Sequence, residues 1–471
     1  MLSSVIIGTN HQRRLIHTNI SLYARGILPS PDNVQTKAIQ ALIDECAATG
    51  GGSVEFGAGI YRTGTLYLRS NTYLHLPFGC TLKGSDDESD YNEPYAWPQN
   101  PVSVNERTNG KHLIVILEIE NCGISGGGRI DGNGAHFGFK NEEGFKRPAQ
   151  MVYMCESSNI RLRDLELVNS TYWSCFVHGC EDVFISGLKI KNNQHVKNGD
   201  GIDIDSSRRV IVSDCNIDSE DDCITFRNDA KRLKDKTRIL EDVTVTNCRL
   251  RTNHANAFRI GVGNGAIRNC TVSNIVIRDS SKGVCLEARY NFNTDEKPGT
   301  RIENISFSNI YMECRCPVFL ASHCKGISAC VAPQIRNIRF MGLTVKAEHN
   351  VVVQGNEGAV CENIGFFDSI FDFSGRTVTV DAYSYDRQKK EALTCIDKYG
   401  YSEWDYVTSS AGFYIANAAH ITLSNVQVNI SSSDAPMNCG AIITDSDVQL
   451  SDFTVFKGGK PAEATICKNR P

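Results

Sequence analysis

One pattern limits how this chain can fold more than any other: a polar residue followed by two short apolar alternations, repeated many times. It reads Asn159-Ile-Arg-Leu-Arg-Asp-Leu-Glu-Leu, Asp182-Val-Phe-Ile-Ser-Gly-Leu-Lys-Ile, Arg209-Val-Ile-Val-Ser-Asp-Cys-Asn-Ile and Asp242-Val-Thr-Val-Thr-Asn-Cys-Arg-Leu. Later copies start at Asn269, Asn304, Asn337, Asn363 and His420. Alternation with period two marks strands, and the polar or glycine break between alternations marks a turn. The shorter steps, 23 residues from Asn159 to Asp182 and 26 from Asn337 to Asn363, suit one coil of a solenoid. Such a unit cannot bury its apolar face alone, whereas stacked copies bury it in one continuous core. The expected fold is all-β, a right-handed single-stranded parallel β-helix.

A chain of 471 residues ordinarily suggests two or three domains, but a solenoid grows along one axis. Nothing after Asn33 reads as a linker. The expectation is an N-terminal extension over 1–25 and a single domain over 26–471, with loop insertions near 229–238, 291–300 and 373–409. One helix precedes the repeats and should cover the open end of the coil. Asp32-Asn33 can cap it; Val34, Ala38, Ala41, Leu42 and Cys46 follow helical spacing; Gly50-Gly-Gly stops it. Short strands follow at Ser53–Phe56, Thr65–Leu68 and Thr72–Leu76.

The 49 basic and 54 acidic residues give a net charge of −5 with no basic cluster, which argues against a nucleic-acid partner. The 19 cysteines are odd in number and lack both a disulfide-scaffold pattern and zinc-ligand spacing. Cys155, Cys175, Cys215, Cys248 and Cys270 sit in strand-like runs, as small buried hydrophobes of a reducing compartment do. The apolar patch Val5-Ile6-Ile7 precedes its arginine pair, the reverse of a secretory signal, and no run is long enough to span a membrane. The expectation is a cytoplasmic monomer without cofactor or metal, or a secreted protein if a leader has been removed.

Two acidic motifs carry the chemistry: Asn198-Gly-Asp200-Gly and Ser219-Glu-Asp221-Asp222-Cys223. Asp200 and Asp221 are 21 residues apart, about one coil, so they can stack on one wall where strands lie roughly 4.7–4.9 Å apart. A carboxylate cluster on a rigid wall is the equipment for splitting a glycosidic bond. Neighbours on a strand point to opposite faces, so Asp221 and Asp222 share a cleft only if the backbone bends there. A lone Asp-Gly would be read as a turn; two motifs one coil apart favour chemistry. Asp203 and Asp205 continue the alternation and are read as spare ladder or turn residues.

Gly50-Gly-Gly-Ser-Val, Gly57-Ala-Gly-Ile-Tyr61, Gly79-Cys-Thr-Leu-Lys-Gly-Ser85, Gly127-Gly-Arg-Ile-Asp-Gly132, Trp173 in Asn-Ser-Thr-Tyr-Trp and the two acidic motifs follow one another in a telling order. In that order they resemble glycoside hydrolase family 28, the polygalacturonase family of pectin-lyase-like solenoids. The resemblance runs from about Asn33 to at least Tyr290. It implies an inverting glycosidase in which Asp221 is the general acid, Asp200 and Asp222 hold and deprotonate water, and Asn198 belongs to the same motif. Acid and base should then stand roughly 6.5–9.5 Å apart.

The chain also departs from the family pattern. Glu220 replaces a Gly, and the family's Gly-His-Gly falls on Ala255-Asn256-Ala257. His254 is either a turn residue or a substitute for the missing histidine. The family's Arg-Ile-Lys falls on Cys285-Leu286-Glu287, so two cations are lost and Glu287 should repel a uronate. Arg259, Arg289 and Arg227 are either structural or a replacement carboxylate fork. Trp173 is read as packing, and Tyr290, Phe292, Tyr383 and Tyr385 as packing or sugar platforms. The expected activity is cleavage of a pectin-type oligo- or polysaccharide, exo-acting, with altered recognition. The alternatives are a β-helix polysaccharide lyase, whose carboxylates can bind calcium, and a non-catalytic sugar-binding solenoid.

Overall fold

A computed structural model describes residues 18–100, 108–137, 147–288, 300–322, 334–355, 360–374, 411–431, 435 and 437–468. The repeats form a parallel β-helix with three walls. Wall A stacks Glu120–Ser125, Ser158–Arg163, Glu181–Ser186, Arg208–Ser213 and Leu240–Thr246. Wall B stacks Arg129–Asp131, Glu166–Val168, Lys189–Lys191, Asn216–Ser219 and Arg249–Thr252. Wall C stacks Ile114–Leu117, Val152–Cys155, Cys175–His178, Ile202–Asp205, Ile224–Asn228 and Asn256–Gly263. Among the described strands, the one antiparallel pairing is a C-terminal hairpin of Val448–Lys457 with Lys460–Pro461.

The polar residue that opens each repeat has a structural reason. All nine openings, from Asn159 (φ 49) to His420 (φ 54), sit in the left-handed region, and so does the fifth residue after each. Asn and Asp tolerate that conformation better than other side chains. Stacked turns also let amides bond along the coil axis: Asn363 donates to Asn337 at 2.7 Å, Asn337 to Asn304 at 2.9 Å and Asn304 to Asn269 at 3.1 Å. Inside, register places like on like. Phe307, Phe340 and Phe366 stack at 4.9 and 4.8 Å between ring centroids, a geometry worth about 0.5–1.5 kcal/mol per pair beyond burial. Fifteen cysteines between Cys46 and Cys439 are buried.

Helix α1, Thr36–Ala48, packs against the strands Thr18–Ser21 and Gly52–Glu55 at the first coil. Two details of the expected helix are corrected. Asp32 and Asn33 belong to a strand, Ser30–Val34, where Ser30 Oγ accepts from the Asn33 N–H at 3.1 Å; the cap residue is Gln35, without a side-chain cap bond. The buried face is Ile39, Leu42, Ile43 and Cys46, while Val34, Ala38 and Ala41 are exposed. Of the expected insertions, 229–238 holds a short helical turn at Ala230–Arg232; nearly all of 291–300 and 373–409 lies outside the described residues.

Candidate active site

The corner where wall B turns into wall C brings the acidic motifs together. Asp221 and Asp222 lie on a bend between Asn216–Ser219 and Ile224–Asn228, not on a strand, which resolves the facing problem. Ser219 Oγ donates to the Asp221 carbonyl at 2.6 Å, and the Asp222 N–H donates to Asp221 Oδ1 at 3.0 Å, fixing the bend. One coil earlier, Asp200 precedes Ile202–Asp205. The Gly201 N–H donates to the Asp222 carbonyl at 2.9 Å, and a Cβ on Gly201 would stand 2.3 Å from the Cys223 carbonyl oxygen. Only glycine permits this approach of the two coils.

Asp200, Asp221 and Asp222 each offer a carboxylate oxygen within 4.8 Å of the others. Two hydrogen bonds of about 2.7 Å meeting at one water span roughly 4.4 Å, so a single water fits between neighbouring carboxylates. The spacing between nearest oxygens is tighter than the wide gap expected of an inverting pair. Asp200 is 5% exposed and its Oδ1 is buried with no hydrogen-bond partner. Burial, then the charges of Asp203, Asp221 and Asp222, push its carboxyl well above the usual carboxylate range, with Arg227 opposing. Burial and the crowding of like charges therefore favour the protonated form of Asp200.

The residues around the cluster are mostly already engaged. Asn198, left-handed at φ 56, reaches Asp221 Oδ2 at 3.5 Å and accepts at Oδ1 from buried Arg147 at 3.0 Å. Asn256, where the family histidine falls, donates twice to Asp222 Oδ1: from its backbone at 2.9 Å and from Nδ2 at 2.7 Å. His254 Nε2 lies 3.5 Å from Glu220 Oε1. Glu220 is buried and also accepts from the Gly199 N–H at 3.2 Å. Glu220, His254 and Asp221 offer polar atoms within 4.8 Å of one another, so the imidazole stands beside the expected acid. A two-residue shift along the chain is thus absorbed by the turn.

Other expectations are corrected. Arg259 does not offer a free carboxylate fork: it forms an ion pair with Glu287, with only 9% and 7% of their side chains exposed, and its Nη1 lies 3.1 Å from Cys285 Sγ. Glu287 accordingly presents no isolated negative charge to a uronate. Arg227 is held 3.6 Å from both Asp203 and Asp205 and lies 4.5 Å over the Trp173 ring. Trp173 is buried, but in a cluster with Tyr153, Tyr172 and Phe176 apart from the main core. Asp203 is not spare. It is fully buried, accepts from Thr225 Oγ1 at 2.5 Å, and burial, with Asp222 and Asp205, raises its carboxyl to about 7 against Arg227 and Thr225. Arg289, Tyr290, Phe292, Tyr383 and Tyr385 lie outside the described residues. Arg147 carried no sequence signal, since its partners Lys197 and Asn198 are some fifty residues away.

Known proteins share the sequence pattern and the fold. The model of glycosyl hydrolases family 28 matches residues 98–384. An endo-polygalacturonase of Pectobacterium carotovorum is 22% identical over 349 residues, 70% of this chain and 82% of that protein. An exo-poly-alpha-D-galacturonosidase of Dickeya chrysanthemi is 26% identical over 257 residues, 44% of this chain and 41% of that protein. The solved family 28 exopolygalacturonase of Yersinia enterocolitica shares the fold at a TM-score of 0.63 and 16% identity, covering 96% of this chain and 78% of that one. The chain spans 51% and 64% of the lengths of two relatives from Arabidopsis thaliana.

Proposed function

The chain belongs to glycosyl hydrolase family 28, and from that premise we propose that it hydrolyses a glycosidic bond, with inversion, in a pectin-type oligo- or polysaccharide. The observation that carries the reading is the convergence of Asp200, Asp221 and Asp222 within 4.8 Å at one corner of a rigid coil. Asp221 donates a proton to the leaving oxygen, and Asp200 with Asp222 holds the attacking water, which loses its proton as the bond breaks. Asn256 orients Asp222, and the Glu220–His254 pair stands beside Asp221 to govern its protonation. Asp200 must lose its own proton before it can accept another, so activity rises as the pH climbs through its raised titration.

The sugar at the cleavage point is neutral in this proposal, because Arg259 is cancelled by Glu287 and Arg227 by its two aspartates. Exo action is part of the same proposal. The test is a panel of rhamnogalacturonan, galacturonan and neutral oligosaccharides scored for reducing ends, anomeric configuration and product length. Inverted products, short from the outset, are expected; random internal cleavage would remove the exo reading, and the absence of reducing ends would remove the hydrolase reading. Three oxygens within 4.8 Å also suit a cation, the lyase arrangement. Undiminished activity in chelator and no ultraviolet-absorbing product are expected. The buried, reduced cysteines support a reducing compartment.

A further inference from the structure

Two residues that set this chain apart meet beside the acidic cluster: Glu220, which stands where the family has a glycine, and His254, two residues ahead of the family histidine position. With Asp221 they bring two carboxylate oxygens and an imidazole nitrogen within 4.8 Å of one another. His254 Nε2 lies 3.5 Å from Glu220 Oε1. That is long for a hydrogen bond, which prefers about 2.7–3.2 Å. It is the spacing that two ligands keep across a tetrahedral ion, since metal bonds of about 2.0–2.2 Å set the donor atoms roughly 3.3–3.6 Å apart. Both carboxylates are oriented from behind by the backbone. The Gly199 N–H donates to Glu220 Oε2 at 3.2 Å, and the Asp222 N–H to Asp221 Oδ1 at 3.0 Å. Outer bonds of this kind fix the direction of ligands in metal sites.

A second observation points to an occupant. Asp200, 5% exposed, keeps Oδ1 buried without a hydrogen-bond partner, and its carboxylate lies within 4.8 Å of that of Asp221. An ion with three protein ligands carries a water in its fourth place, and Asp200, on the Asp221 side, can accept from that water. The His254 side chain is 20% exposed, which leaves a way in for an ion. One imidazole with two carboxylates suits zinc, whereas calcium takes about six to eight oxygens. We propose that Glu220, Asp221 and His254 form an inhibitory zinc site. Bound there, the ion holds the carboxylate that would otherwise protonate the leaving oxygen, and hydrolysis stops while the ion stays. The place of the ion is independent of the hydrolase reading; its effect on rate rests on that reading.

The test titrates zinc ion into the chelator-treated full chain by calorimetry and follows hydrolysis in the same samples. The parent should bind one zinc ion at least about tenfold more tightly than His254→Ala or Glu220→Gln. Glu220→Gln keeps the side-chain shape and serves if His254→Ala fails to fold. Cobalt ion in place of zinc should give the visible absorption of a tetrahedral site, lost in the same two variants. Asp222→Asn, outside the triad, should bind zinc as the parent does. Zinc that fills the site should stop the release of reducing ends, and chelator should restore it. Equal zinc affinity in the parent and the folded variants overturns the proposal. So does loss of the ion in Asp222→Asn with retention in His254→Ala, which would put it among the three aspartates. Full hydrolysis by the zinc-loaded parent overturns the inhibitory role. A chain that binds zinc in this way yet releases no reducing ends in chelator would sink the hydrolase reading and leave the metal site standing.

Discussion

Replacing Asp203 by Asn tests whether a carboxyl beneath the acidic cluster makes the fold weaken as pH rises. Asp203 has no exposed surface, and burial followed by Asp222 and Asp205 lifts its carboxyl from 3.8 to about 7 while Arg227 and Thr225 pull it down. In the unfolded chain the same group titrates near 3.9. The folded state therefore prefers the protonated form. That contribution is complete below about pH 4 and is lost as the pH climbs through about 7. A displacement of about three units, at 1.36 kcal/mol each, amounts to about 4 kcal/mol across that window. Asn keeps the shape and the oxygen that accepts from Thr225 but cannot titrate. The two proteins should be equally stable at pH 4, and the variant should be about 2–4 kcal/mol more stable at pH 8, the lower figure allowing for Arg227 losing an ionised partner. Urea unfolding at the two pH values measures the gap. Because Asp203 also pushes Asp200 upward, the acidic limb of kcat/KM should move to lower pH in the variant. A stability gap that is the same at pH 4 and pH 8 would refute a proton on Asp203.

Asp221→Asn should lower kcat by about 10²–10⁴-fold with little change in KM; an activated aryl glycoside, whose leaving group needs no proton, should recover much of the rate, and a variant equally dead on both would remove Asp221 from the acid role. Asn256→Ala deletes one charge-assisted bond to Asp222, worth about 1.5–3 kcal/mol, and should cost kcat roughly 10–100-fold while the melting temperature holds; steady-state rates beside thermal melts decide it. Glu287→Ala removes the carboxylate that answers buried Arg259 and should destabilise by about 3–5 kcal/mol, whereas joint replacement by Met and Leu should be nearly neutral; equal losses in the single and double variants would contradict a cancelled pair.

The fold was legible because its constraint is local. An Asn at each repeat opening satisfies a left-handed turn and an axial amide ladder at once, so the same residue type recurs wherever the geometry recurs. Asp200 and Asp221 were legible for a related reason: a separation of about one coil is a spatial statement in a solenoid. The helix start was misread because Asn33, a good cap by type, is held by Ser30 in a strand; of the expected face Leu42 and Cys46 are buried, and Ile39 and Ile43 complete it. Arg259 and Glu287 looked like opposing influences on a substrate because each was weighed alone. Register resolves them. Arg259 pairs with Cys285, and Glu287, two residues on, shares the outward face of Cys285, so the cation of one coil meets the anion of the next. The same step pairs Asp205 with Arg227 and Asp203 with Thr225. In a parallel coil, then, a charge is free for substrate only if the coils on either side carry no answering charge at the same face and within two residues of the same register. By that criterion Arg227 and Arg259 belong to the scaffold, and the unmet acceptor of Asp200 marks where a sugar would be felt.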